Sequence, residues 1–266
     1  MKILVLVKNV PDSTATIKVK GDGSGIETAG LKMVMNAFCE FAVEAALQIK
    51  EKHPAAAADI TVMTLGPADD ANVIRTAYAM GVEKGVHLCD DLFKDLDELT
   101  TARVVAAAVK GENYDLILTG KVAIDYDSGQ FGPALAECLG LPHVGAATAI
   151  EWAGDYKSAT VRRRIEGAEE VVEIRLPCLL TIEKGLCEPR YPSLPGLMKA
   201  KKKPVETKNA AALGLSAKDL SREAVGTWLT EFAPPPPRPP GRKLAGEPAE
   251  AVKELVRLLR DEEKII

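Results

Sequence analysis

Short unbroken apolar runs alternate along the first half of the chain with longer stretches whose apolar positions recur every three or four residues. A continuous apolar run of a few residues between turn signals reads as a strand buried on both faces. Spacing of three and four reads as an amphipathic helix. On this pattern residues 3–7, 60–65, 86–88 and 116–118 are buried strands, and residues 40–52, 68–80, 99–110 and 130–139 are helices. The helix over 40–52 carries Phe41, Ala45, Leu47 and Ile49 on or near one face, with Glu40 at its start and lysines at its end, as the helix dipole prefers. Gly66-Pro67 closes one strand, and Gly81 stands where a helix C′ glycine belongs. Residues 17–19 with the turn over 21–25 predict a small hairpin-like excursion. Strand and helix alternating over residues 1–145 predict an α/β fold, a doubly wound parallel sheet with right-handed crossovers.

The rhythm changes after Pro142. Runs at 147–152, 159–165 and 171–175, separated by Gly154 and Gly167, predict antiparallel additions to the same domain, followed by a core strand at 178–182. Residues 188–203 then form an exposed loop stiffened by Pro189, Pro192 and Pro195, with Leu194 at its tip, entering a short helix that ends in lysines. Such a leucine is either one more surface apolar residue or a preorganised anchor for a partner pocket. From 204 onward the α/β rhythm is lost. Residues 225–232 read as a short helix or strand, and the six prolines within 234–240 as a polyproline linker. A final amphipathic helix over 248–260 lines up Val252, Leu255, Val256 and Leu259. Its apolar face must bury against its own domain or another subunit. The expected division is an α/β domain over 1–203 and a C-terminal arm over 204–266 that reaches a partner subunit.

Composition narrows the chemistry. The 266 residues are 47% hydrophobic and 27% charged, ordinary for a globular protein with a sizeable core. A net charge of −4 disfavours nucleic acid. Five scattered cysteines form no C-x-x-C pair, and three distant histidines have no ligand spacing, so a reduced interior without a metal is expected. The opening apolar run is too short for a signal peptide or a membrane span, which predicts an intracellular protein without membrane insertion. There is no Ser-His-Asp set and no paired acid and base, so no catalytic residue is assigned.

The stretch that organises the rest is 115–132, where a buried strand runs into a small polar connection and then a helix. A loop between the C-terminal end of a parallel strand and a helix N-terminus is where an anion such as phosphate binds. Lys121 offers a mobile cation, and Asp125, Asp127 and Ser128 lie in the connection. It is neither a Walker motif nor Gly-x-Gly-x-x-Gly. A phosphate cradle and an ordinary strand-to-helix loop capped by its aspartates both remain open. In a doubly wound sheet the loops at 8–12, 36–39, 65–68 and 120–130 can converge on one crevice.

Several stretches carry a family resemblance in order: Val5-Leu-Val-Lys8, Met35-Asn-Ala-Phe-Cys-Glu40, Leu65-Gly-Pro-Ala68, Arg75-Thr-Ala77, Ala79-Met-Gly81 and Thr119-Gly-Lys-Val-Ala-Ile-Asp125 with Gln130. They continue through Val161-Arg-Arg-Arg-Ile-Glu-Gly167, Leu176-Pro-Cys-Leu-Leu-Thr181, Glu188-Pro-Arg-Tyr191, Leu194-Pro195 and Met198-Lys-Ala-Lys-Lys-Lys203. The chain resembles the β (small) subunit of electron-transfer flavoproteins almost from end to end, the arm most loosely.

The resemblance implies a Rossmann-like fold of the adenine-nucleotide α-hydrolase type, a heterodimer with an α subunit that binds most of one FAD, and AMP held structurally on this chain. Carried over position by position, the AMP site is Leu6, Asn36, Ala37, Phe38, Cys39, Leu65, Lys121, Val122, Ala123, Ile124, Asp125, Tyr126, Asp127, Ser128, Gly129, Gln130, Phe131 and Gly132. The docking loop is Leu194, Pro195, Met198, Lys199 and Lys202, with Leu194 as the anchor in acyl-CoA and related dehydrogenases, and Lys199 and Lys202 at positions methylated in some members. The implied role is a carrier that passes electrons from those dehydrogenases, in fatty acid oxidation, towards a quinone oxidoreductase. Its implied location is the bacterial cytoplasm or the mitochondrial matrix. Two rival readings stand beside it. Val10-Pro-Asp-Ser13 looks more like electron-bifurcating relatives, which hold a second FAD in place of AMP and take electrons from NADH; Tyr126 and Ser128 also depart from the usual residues. The other rival is a stand-alone nucleotide-binding regulatory module that binds ATP.

Overall fold

The computed structural model describes residues 1–238 and 240–266. Pro239, within the expected polyproline linker, lies outside the described residues. Among the described residues the strands are β1 (Lys2–Leu6), β2 (Asn9–Pro11), β3 (Met33–Met35), β4 (Asp59–Leu65), β5 (Lys84–Leu88), β6 (Leu116–Gly120), β7 (His143–Trp152), β8 (Ser158–Ile165), β9 (Ala168–Arg175), β10 (Cys178–Ile182) and β11 (Glu206–Lys208). The α-helices are α1 (Ala37–Lys52), α2 (Ala71–Met80), α3 (Glu98–Val109), α4 (Phe131–Leu139), α5 (Leu194–Lys202) and α6 (Pro248–Arg257).

One nine-stranded sheet runs in the order β11-β5-β4-β1-β6-β10-β7-β8-β9, parallel from β11 to β7 and antiparallel through the β8–β9 hairpin. Side chains alternate across a strand. Ile3 and Val5 of β1 therefore share one core with Ala42, Val43 and Ala46 of α1 and Val73, Ile74 and Ala77 of α2. Leu4 and Leu6 face the other core, with Ala102 and Val105 of α3 and Leu135 of α4. These helices cover both faces of the sheet, as the strand–helix alternation predicts. Gly85 is compatible with this packing only as glycine, since a Cβ there would stand 2.4 Å from Ile74 Cγ2 and 2.6 Å from the Tyr78 hydroxyl.

Several elements depart from expectation. Residues 9–11 are not loop: β2 pairs antiparallel with β3, and the excursion between them carries an isolated Val19–Ile26 bridge. The helix expected at 40 begins at Ala37, which turns Asn36 into its N-cap. β7 starts at His143, and its first half joins the parallel sheet against β10 before a register shift at Ala147–Ala149 hands it to β8. Beyond 204 the chain adds β11 to the free edge of β5. The expected helix or strand at 225–232 is neither. Its backbone groups find partners elsewhere: Asp97 Oδ2 accepts from the Gly226 and Thr227 N–H groups at 3.0 and 3.1 Å, and Phe232 N–H donates to the Gly23 carbonyl at 2.9 Å. At the far rim, β9 leaves Glu169, Glu170, Val171 and Glu173 exposed. No described helix is long and apolar enough to cross a membrane.

Candidate functional site

The chain leaves β1 through α1 towards β4 on one side, and later returns on the other side of β1 as β6. The C-terminal ends of β1 and β6 therefore flank a topological switch point, where doubly wound sheets bind ligands. Leu6 lies one step from Thr119 across this pair, and Leu6, Leu65 and Phe131 contribute to the same apolar cluster. The first turns of α1 and α4 rise at the same end. Gly120 permits the approach of α1: a Cβ there would meet Phe38 at 2.8 Å and the Cys39 nitrogen at 3.0 Å. Gly132 does the same for α4, where a Cβ would stand 2.4 Å from Thr181 Cγ2.

Asn36 joins the two halves of the site. It is only 1% exposed, and its side chain does not cap α1. Instead Nδ2 donates to the Val122 carbonyl at 2.9 Å and to Cys39 Sγ at 3.2 Å, while Oδ1 accepts from the Ile124 N–H at 3.2 Å. The polarity of the two backbone partners settles the orientation of the amide. From the segment just after β1, Lys8 Nζ pairs with Asp125 at 2.6 Å and lies 4.7 Å from the centre of the Tyr126 ring. The loop over 121–130 is thus held from below by Asn36 and from the β1 side by Lys8. Ala123 C=O turns it back by accepting from the Tyr126 and Asp127 N–H groups, and Asp127 and Gly129 both take positive φ, 52° and 64°. Ser128 hydrogen-bonds Glu98 at the start of α3.

Electrostatics refines the sequence reading. Lys121, expected as a mobile cation, is paired with Glu183 at 2.7 Å. Burial pushes the Glu183 carboxyl up, but the bonds from Lys121 and the Lys184 N–H outweigh it and hold the group below the usual glutamate value. Burial also pushes up Asp70, which accepts from Asn9 Nδ2 at 2.8 Å. Burial raises the Cys39 thiol, so this cysteine is a packing residue rather than an activated nucleophile. Neither α1 nor α4 has a side-chain cap. Two helix N-termini with no capping side chain at one switch point suit an anion, and the residues present fit a nucleotide phosphate. Among the described residues no group of three or more His, Cys, Asp or Glu side chains is arranged to hold a metal.

The residues expected to dock lie apart from the crevice. Leu194 is the first residue of α5 and 78% exposed, Met198 one turn on is 72% exposed, and Tyr191 is 96% exposed. Lys199 and Lys202 fall in the last turn of α5, where cations complement the helix dipole. α5 rests on α2 through Gly196, where a Cβ would stand 2.7 Å from the Ala79 carbonyl oxygen. Sequence reasoning did not single out Lys8, Glu98 and Glu183, which pair with residues of the 121–130 loop, or Arg190, which pairs with Glu44 of α1. Lys8 and Arg190 lay inside the matched motifs, but an ion pair spanning over a hundred positions leaves no local signal.

The electron transfer flavoprotein domain family matches residues 24–213. Electron transfer flavoprotein subunit beta of Bacillus subtilis is 40% identical over 268 residues, covering all of both chains. That of Syntrophomonas wolfei is 40% identical over 265 residues, covering 100% of this chain and 98% of its own. The mitochondrial protein of the same description from Arabidopsis thaliana is 37% identical, again over the whole of both chains. With a matching family domain and relatives aligned from end to end, the chain belongs to the electron transfer flavoprotein family, among its β subunits.

Proposed function

We propose that the chain is the β subunit of a heterodimeric electron-transfer flavoprotein of the simple carrier type. In this reading residues 36–39 and 121–132 hold AMP, with its phosphate towards the first turns of α1 and α4, and Leu6 and Leu65 form the apolar wall. The α subunit carries most of the FAD, which takes up and releases the electrons. This chain's task is to complete the flavin-bearing assembly and to dock it. Leu194 and Met198 contact an acyl-CoA dehydrogenase, and electrons then pass towards a quinone oxidoreductase. Residues 1–203 act as the nucleotide-binding unit, and the arm over 204–266 reaches the α subunit through α6, whose Val252, Leu255 and Val256 are exposed. A small exposed contact suits a carrier that must dissociate quickly from each partner.

The observation that carries this reading is the Asn36 bridge, which brings the two nucleotide-loop candidates together at the switch point. The cofactor content of the complex co-expressed with its α subunit tests it. One FAD and one AMP per heterodimer is the expected result; two FAD and no AMP replaces it with the bifurcating reading. Leu194→Ala is expected to raise KM for a dehydrogenase and leave nucleotide content unchanged. Unchanged kinetics with a natural dehydrogenase removes the docking assignment.

A further inference from the structure

Arg190 begins the segment that carries Tyr191 and Leu194, and its guanidinium is forked between two carboxylates of α1. Nε and Nη2 donate to Glu44 at 2.7 and 3.0 Å; Nη1 and Nη2 donate to Glu51 at 2.7 and 2.9 Å. The Arg190 backbone N–H adds a bond to Glu44 at 3.3 Å. Glu44 is buried, and Gln48 steadies it with a bond of 3.0 Å. Glu44 and Glu51 stand seven residues apart, two turns along one side of α1. Just before the clamp, Cys187 Sγ donates to the Phe41 carbonyl at 3.4 Å. Just after it, Ser193 caps α5 by accepting from the Gly196 N–H at 3.1 Å, and α5 is seated on α2 through Gly196 and the buried Ala200. Only Tyr191 and Pro192 separate the clamp from the cap. The exposed apolar side chains Tyr191, Leu194 and Met198 therefore project from a backbone tied down on both sides.

We propose that Arg190 is a positioning residue for docking. Its double fork sets the pose of the Tyr191–Leu194–Met198 patch before a partner arrives. The inference rests on the docking reading above. A segment ordered in advance spares association the cost of ordering it, so the clamp acts on the encounter and not on electron movement within the docked complex. Planar bidentate bonding to two carboxylates is a geometry that lysine cannot reproduce, although it keeps the charge.

The test uses the assembled heterodimer with its cofactors, an acyl-CoA dehydrogenase as donor, and three variants: Arg190→Lys, Glu51→Gln and Leu194→Ala. Arg190→Lys is expected to raise KM for the dehydrogenase about tenfold with kcat unchanged, since ordering a few side chains costs about that factor in affinity. FAD and nucleotide content are expected to stay at the parent level, and proteolytic nicking between 184 and 193 to quicken. Glu51→Gln removes one charged fork at a half-exposed position and is expected to raise KM less, which keeps the test open should the arginine variant fold poorly. A parent-like KM for both clamp variants, with KM raised by Leu194→Ala, overturns the clamp and leaves docking standing. Parent-like KM for Leu194→Ala removes the docking reading, and the clamp proposal with it. A fall in kcat at constant KM also overturns the proposal.

Discussion

Asn36 permits a sharp test of what holds the loop over 121–130 in place. Replacing it by alanine removes the bonds to the Val122 carbonyl and from the Ile124 N–H and leaves a small space. Replacing it by leucine removes the same bonds but fills the volume. Two backbone hydrogen bonds at about 1 kcal/mol each, plus the cost of groups left dry, put the loss for Asn36→Ala at about 2–3 kcal/mol. Leucine keeps water from the stranded carbonyl and N–H, so its loss should equal or exceed that of alanine. At about 2–4 °C per kcal/mol for a chain of this size, both variants should melt roughly 4–12 °C lower. Calorimetry of the purified protein measures the shift, and hydrogen exchange at 122–127 shows whether the loosening is local. The reasoning is refuted if Asn36→Leu melts within a degree of the parent while Asn36→Ala does not. Asn36 would then act by filling space, and the loop would be held by other contacts.

Gly120→Ala should drive α1 away from β6, since its Cβ would meet backbone atoms of Phe38 and Cys39 rather than a yielding side-chain tip. A loss of about 1–3 kcal/mol in urea unfolding, with nucleotide retained less tightly, is expected. Burial pushes Glu44 up, yet Arg190 and Gln48 bring it below its ordinary 4.5. A carboxylate depressed in the fold contributes stability that is present above pH 4.5 and lost as pH falls through the folded value. Nicking between 184 and 193 should therefore rise on acidification below about pH 4.5, and Glu44→Gln should flatten that profile. Val252→Asp combined with Leu255→Asp should abolish co-purification with the α subunit while leaving the sheet core intact by circular dichroism. Full heterodimer yield from the double variant would sink the assignment of α6 to that contact.

The buried half of the fold was legible because its strands sit between helices and so carry unbroken apolar runs: β1, β4, β6 and β10 all fall where hydrophobicity alone sets them. The alternating helices were equally visible, but their starts were not. α1 begins three residues early, where Asn36 bonds the loop after β6 and Phe38 packs on Gly120 at the end of that strand, contacts of long sequence separation. β2, β3 and β11 are three residues each, too short to show a period. Residues 225–232 carry apolar side chains without either period, and the N–H groups of Gly226, Thr227 and Phe232 are satisfied by Asp97 and Gly23 rather than by a ladder. In the candidate site, the loop over 121–132 was visible as a polar gap between strand and helix. The side chains that pin it, Lys8 and Asn36, and Glu183, which occupies Lys121, come from three other parts of the chain.

The rims of the sheet set limits on how copies of this chain can meet. A strand with an open row of N–H and C=O groups templates another strand, and the longer the rim the greater the hazard. The β11 rim offers three residues, too few to seed a ladder. The β9 rim offers eight, but Glu169, Glu170 and Glu173 stand exposed along it, and a second β9 brought alongside would place acid beside acid. Arg163 of the neighbouring β8 strand balances Glu170 within one molecule, at 3.3 Å, and is not free to neutralise a neighbour's rim. Fibre-like growth from rim to rim is thus penalised.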